Sequence, residues 1–211
     1  MGNIDLIQSL KFLPGILLGL TVHEFSHAWM ASQCGDSTAK DMGRVSLNPI
    51  RHIDPLGFLV LLVAGFGWAK PVQFNEKNLH NPGMDVIKIA LAGPFSNALL
   101  AILLSVLFNL TFTNPTTSQG PVMNVIIEIF IYAIYINWGL FIFNLLPIPP
   151  LDGSHLFFYP LRKYANLYMF LYRYGMWALF LIIILERTLR VNLLPIGPAM
   201  NYLFHMFVKI G

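Results

Sequence analysis

Residues 21–29 read TVHEFSHAW, and HEFSH within them fits the pattern H-E-x-x-H. On a helix, His23 and His27 stand one turn apart on one face. Their imidazoles can share one Zn²⁺, and Glu24 beside the metal can serve as general base. A bland reading competes, in which the three are packing polars that hydrogen-bond to each other or to neighbouring helices. The surroundings weigh against it. Of six histidines and four glutamates in the chain, three fall within five residues, just past the unbroken apolar run FLPGILLGL (12–20). Ionisable groups at membrane depth cost several kcal/mol unless compensated, so they mark function by default.

A catalytic zinc needs a third protein ligand and an open position. Asp85 and Glu186 fall at the ends of apolar segments, and Glu128 falls at the far end of its own. His52, Asp54 and His80 lie in a polar connection that could approach. Cys34 lies seven residues past His27, about 10 Å along a helix axis, too far to share the metal, and reads as a small buried residue. The best candidate is Asp152, in NLLPIPPLDG (144–153). Pro147, Pro149 and Pro150 break the helix before it, and Gly153 permits a tight turn after it. Broken backbone at membrane depth is tolerated where it is buried in protein or lines a water-filled cavity. Asn144, eight residues earlier, can donate to a substrate carbonyl or developing oxyanion. LAGPFSN (91–97) contributes Gly93 and Pro94, read as packing against the metal helix. Asn97 joins Asn144 as a candidate substrate-binding residue.

The elements that position these residues follow from composition. Of 211 residues, 56% are hydrophobic and only 11% charged, against about a quarter charged in soluble domains. We expect an all-α membrane protein with one integral-membrane domain over residues 1–211. Spans of about 20 residues are expected at Phe12–Gln33, Val86–Leu110, Val122–Leu146 and Tyr168–Leu185, about four transmembrane helices. Leu56–Ala69 is too short for a comfortable span and reads as a re-entrant or interfacial segment, or a pair of strands. Met200–Val208 reads as interfacial. The 35–85 connection, with short β-like runs at Arg44–Leu47 and Pro71–Phe74, is expected to form a small cytoplasmic β-structure. An edge strand there could capture an extended substrate by β-addition.

Lys40, Arg44, Arg51, Lys70, Lys77 and Lys88 lie between 35 and 88, and Arg162, Lys163 and Arg173 follow the third span. The connection 111–121 carries no charge. By the positive-inside rule, 35–85 and 147–173 face the cytoplasm. Arg187, Arg190 and Lys209 then fall outside, against that rule. This topology, drawn from Lys and Arg alone, puts Asp152 at the same depth as HEFSH. The net charge of +3 is dispersed, which argues against nucleic-acid binding. The apolar N-terminal run has no small-x-small cleavage site and reads as a retained span.

HEFSH in the first span, LAGPFSN in the second and NLLPIPPLDG after the third resemble the site-2 protease family of intramembrane zinc metalloproteases. GDSTAKDMGRVSLNPIRHIDPLG and GFGWAKPV are similar to its short bacterial branch. The resemblance implies one Zn²⁺ per chain on His23, His27 and Asp152, with Glu24 as base and Asn144 touching substrate. It implies membrane-protein or single-span peptide substrates, the lipid bilayer as surroundings, and a bacterial inner membrane with the active site toward the cytoplasm. The PDZ and CBS domains of many relatives do not fit in this chain. The rival reading is a non-proteolytic zinc-binding membrane scaffold. Glu24 argues against it, since a structural site needs no base. A small transporter is weaker still, as no inverted repeat is visible.

Overall fold

The structure, a computed structural model, describes residues 6–64, 67–112, 120–189 and 193–209. Eight α-helices occur in them: α1 (Leu6–Gln33), α2 (Thr38–Asp41), α3 (Pro55–Ala64), α4 (Pro82–Phe112), α5 (Pro121–Asn144), α6 (Gly153–Phe158), α7 (Ala165–Leu189) and α8 (Ile196–Phe207). Three are long and apolar enough to cross a membrane: α4, α5 and the Ala165–Glu186 part of α7. The sequence reading anticipated about four. The expected first span does form, as helix α1, which is not among these three.

α1, α4 and α5 make the core. Along α1, Lys11 pairs with Glu128, Phe12 stacks on Tyr132 at 4.1 Å, Gly15 faces Ala133 and Gly19 faces Asn137. The offset between partners stays nearly constant, so α1 and α5 run parallel. Against α4 the order reverses: Gly19 meets Asn97, and His27 meets Ile89. Close approach rests on Gly15 and Gly19, a small-xxx-small pair. A Cβ on Gly15 would lie 2.7 Å from the Ala133 Cα. α8 closes one side, stacking Phe204 on Tyr135 and Phe207 on Trp138. Ala101, Phe108, Ile134, Trp138, Phe204 and Val208 form the apolar cluster there.

The 35–85 connection departs from expectation. No strand forms among the described residues; one isolated antiparallel bridge joins Ile53 and Ala69. Side chains take the backbone groups that a sheet would have paired. Val72 N–H donates to Glu24, Asn75 N–H to Asp36, and the Arg44 guanidinium caps the Lys70 and Pro71 carbonyls. The Leu56–Ala69 piece is a hairpin of one helix and a return. α3 runs out, and the chain comes back so that Lys70 N–H reaches the His52 carbonyl at 2.8 Å. Gly57 makes this possible, since a Cβ there would sit 2.3 Å from the Trp68 carbonyl oxygen. Most of the uncharged 111–121 connection, and Arg190, lie outside the described residues.

Candidate active site

His23 and His27 project from α1 toward α4, and both are buried. His23 Nδ1–H donates to Asn97 Oδ1 at 2.7 Å, and His27 Nδ1–H to the Ile89 carbonyl at 2.7 Å. A carbonyl only accepts, so His27 must carry its proton on Nδ1. Asn97 spends its amino group on the Gly19 carbonyl and on Asn137 Oδ1, so its oxygen faces His23. Both Nε2 atoms are then left as lone pairs, 3.0 Å apart. Asp152 Oδ2 lies 3.1 Å from His23 Nε2 and 3.5 Å from His27 Nε2. It is buried and receives no hydrogen bond. Three acceptors thus converge with no donor among them when both imidazoles are neutral, an arrangement that suits a metal cation. Zn–ligand bonds of about 2.0–2.1 Å in a tetrahedron place ligand atoms roughly 3.3 Å apart, and the observed spacings fit. This is the one such cluster among the described residues.

Two glycines make the convergence possible. A Cβ on Gly93 of α4 would lie 2.4 Å from His27 Nε2 and 2.7 Å from His23 Cε1. Nothing larger can lie under the imidazoles. After α5, Ile148 N–H and Leu151 N–H bond back to the Leu146 and Ile148 carbonyls, turning the chain sharply. α6 then starts against the end of α5, and a Cβ on Gly153 would sit 2.3 Å from the Leu145 carbonyl oxygen. That crossing returns Asp152 to α1.

Glu24 is buried on the same helix. Its Oε2 accepts from Val72 N–H at 3.1 Å and lies 3.7 Å from Arg44 Nη2. None of these contacts uses Oε1. Arg44 is only 3% exposed, and its guanidinium donates to the Pro71 carbonyl at 3.1 Å and to that of Lys70. The sequence reading counted Arg44 only among the charges that set topology. It is instead a buried clamp between Glu24 and the 70–72 segment.

The remaining candidates separate. Asn97 is fully buried with every polar hydrogen spent. It supports His23 from behind, and both of its amide hydrogens are taken by protein groups. Asn144 ends α5, half-buried, donating to the Leu140 carbonyl at 3.0 Å. His52 is buried, and its Nε2–H donates to the Ser46 carbonyl. Burial, more than any other influence, holds its basicity below the usual imidazole range. Asp54 accepts from Gly57 N–H, and His80 packs on Gly35. Neither approaches the triad. Cys34 is buried in an apolar cluster with Ala31, Leu79, Val86 and Ile89. An apolar cavity of about 170 Å³ lies between α1, the α3 hairpin and α5, with Leu20, Thr21, His52, Phe58, Trp68 and Leu140 in its wall.

Residues 114–185 match the sequence family described as "Peptidase family M50". The match includes Asn144 and Asp152. The chain is 41% identical over 138 residues to "Putative zinc metalloprotease YwhC" of Bacillus subtilis, covering 65% of this chain and 63% of that protein. It is 32% identical over 146 residues to "Putative zinc metalloprotease Rip2" of Mycolicibacterium smegmatis, and 31% over 147 residues to the Mycobacterium tuberculosis protein of that name. Each alignment covers 67% of this chain and 53% of the relative. The chain thus spans less than two thirds of the length of these curated relatives. No solved structure matches. With its apolar helices and its His–His–Asp cluster, this chain is similar to peptidase family M50 over residues 114–185 and to the putative zinc metalloproteases of these bacteria.

Proposed function

We propose that this chain is an intramembrane zinc endopeptidase that hydrolyses peptide bonds in or near the transmembrane segments of membrane proteins. The observation that carries the reading is the donor-free triad of His23 Nε2, His27 Nε2 and Asp152 Oδ2, with Glu24 next to it on α1. One zinc ion per chain, held by these three groups, would supply Lewis acidity toward a water and a peptide carbonyl. The chain's own residues do the rest. Glu24 is fixed through Oε2 by Val72 N–H and Arg44, which assigns the proton work to Oε1. That atom takes a proton from the attacking water and passes it to the departing amine, so the carboxylate ends as it began. Asn144, at the end of α5, has a second amide hydrogen beyond the one given to Leu140. That hydrogen holds the substrate carbonyl.

The Lys/Arg distribution supports an active site toward the cytoplasmic side. The likeness to bacterial relatives supports a place in the inner membrane. A helical substrate has its peptide groups internally bonded, so it must unwind beside Glu24 to be cut.

The test compares wild type with Glu24→Gln on a panel of single-span substrates in detergent. We expect cleavage by wild type, loss of at least about 10²-fold in the variant, and one zinc bound in both. Zinc at one per chain with no cleavage by either would leave the scaffold reading. Undiminished cleavage by the variant would remove Glu24 from its role.

A further inference from the structure

The triad works as a metal site only if His23 keeps its proton on Nδ1. The atom that receives this proton is Asn97 Oδ1, 2.7 Å away on α4. An asparagine amide can turn over. Turned over, Asn97 would present its amino group to Nδ1, and the ring would have to carry its proton on Nε2, inside the triad. What keeps Asn97 turned the right way is therefore part of the site.

Two acceptors hold its amino group. One is the Gly19 carbonyl on α1, at 3.0 Å; the other is Asn137 Oδ1 on α5, at 2.9 Å. Asn137 is itself unable to turn, because its amino group donates to the Ala133 carbonyl at 2.8 Å. Both asparagines are 0% exposed, so no water can replace a lost partner. Gly19 serves this chain of bonds twice. Besides its carbonyl, it lacks the Cβ that would stand 2.9 Å from Asn137 Oδ1. The polarity of every bond is thus set from a backbone carbonyl on α5, through two side chains, to the imidazole on α1.

We propose that Asn137 is a positioning residue for the metal centre: from α5, through Asn97 on α4, it holds His23 on α1 in the tautomer that leaves Nε2 open to a metal. The inference rests on reading the triad as a zinc site. It makes zinc affinity depend on the docking of three helices, although only α1 and the loop after α5 supply ligands. Partners of metal-bound histidines tune affinity by about 10- to 100-fold, and Asn137 acts one bond further out.

The experiment measures zinc affinity of the full-length chain in detergent by competition with a chromophoric chelator, and the visible spectrum of the cobalt-loaded protein. Asn137→Leu keeps the volume and removes the acceptor; we expect zinc binding about 10-fold weaker and an altered cobalt spectrum. Asn137→Asp keeps an acceptor for Asn97 and should bind zinc nearly as wild type does. A purely structural role gives the opposite order, because a buried acid disturbs packing more than leucine. Asn97→Asp supplies the decisive background, since a carboxylate accepts from Nδ1–H whichever way it turns. In that background Asn137→Leu should cause no further loss. Wild-type affinity in Asn137→Leu, equal losses in Leu and Asp, or an undiminished loss on top of Asn97→Asp would each overturn the proposal. Failure of wild type to bind zinc would instead overturn the reading of the triad.

Discussion

The two halves of the site are built on different principles. The metal half lies where α1, α4 and α5 meet. His23, His27, Asn97 and Asn137 are held there by bonds of 2.7–3.0 Å to groups on rigid helices. The base half lies between α1 and the 44–72 connection. Glu24 is held there by one loop N–H and one arginine, and the loop by that same arginine. Arg44 Nε and His52 Nδ1 are buried without partners, and His52 lines the 170 Å³ cavity. Unspent hydrogen-bonding capacity costs stability. Unpartnered atoms occur in the metal half too, Asp152 Oδ2 and Ser154 Oγ among them, so the halves differ in what holds them, and that difference has a functional logic. An ion needs one fixed geometry, whereas water and an unwinding peptide need a side that can exchange partners.

The sharpest way to break the metal half is Gly93→Ala. The new Cβ would stand 2.4 Å from His27 Nε2, far inside any real contact. α4 is pinned by the Asn97 bonds, so the imidazoles must move. We expect zinc affinity to fall by about 100-fold or more and cleavage by at least about 10²-fold. Overpacking alone costs about 1–3 kcal/mol, so the protein should stay folded. Gly139→Ala is the control, because its Cβ meets only the flexible Met200 side chain at 3.2 Å. Equal effects of the two alanines on zinc binding would show that Gly93 is ordinary helix packing.

This asymmetry also explains what could be read from the sequence. His23, Glu24 and His27 were legible because helical spacing converts directly into geometry. Asp152 was legible because broken backbone and a charge coincided at one depth. α4, α5 and α7 followed from apolar length alone. The hydrogen bonds of Asn97 were not legible, because an amide in a span says nothing about which way it faces; its partner Asn137 lies forty residues on. Arg44 was misread for a related reason. Charge counting treats every arginine as solvated, and only a fold can show one turned inward onto carbonyls. The β-structure failed because β-like composition in 35–85 records extended backbone, and extended backbone can be satisfied by side chains as well as by another strand.

The base half should respond to Arg44 in a way that separates it from the metal half. Arg44→Gln removes the cation near Glu24 and one of the two carbonyl bonds. We expect kcat to fall by roughly 10-fold, a fraction of what a positioned base contributes. KM and zinc stoichiometry should stay at wild-type values. Arg44→Lys keeps charge but not the planar fork, and should fall between the two. A parallel loss of zinc would join the two halves into one unit and end the comparison.

The smallest effect belongs to the anchor of the base half. Asp36 is fully buried and accepts from Thr38 Oγ1–H at 2.6 Å, Asn75 N–H at 2.7 Å and Asn78 Nδ2–H at 2.8 Å. It thereby ties the end of α1 to the segment following Val72. Burial pushes its titration up, but the donors from Thr38, Asn75 and Asn78 outweigh that and hold it below the usual carboxylate range. A depressed folded pKa gives stability that is present above the unfolded value of about 3.9 and is lost as pH falls through the folded one. Asp36→Asn turns an amino group toward donors and should cost about 2 kcal/mol at neutral pH, read as a lower Tm. As pH falls below about 4 and on through the depressed folded pKa, the wild-type carboxyl protonates, so the two melting curves should converge. Zinc affinity at neutral pH should not change, because the triad is held by α4 and α5. A Tm difference that persists unchanged into acid would mean that the side chain matters for its shape and not for its charge. The base half would then be tied down by packing and not by the charge of Asp36.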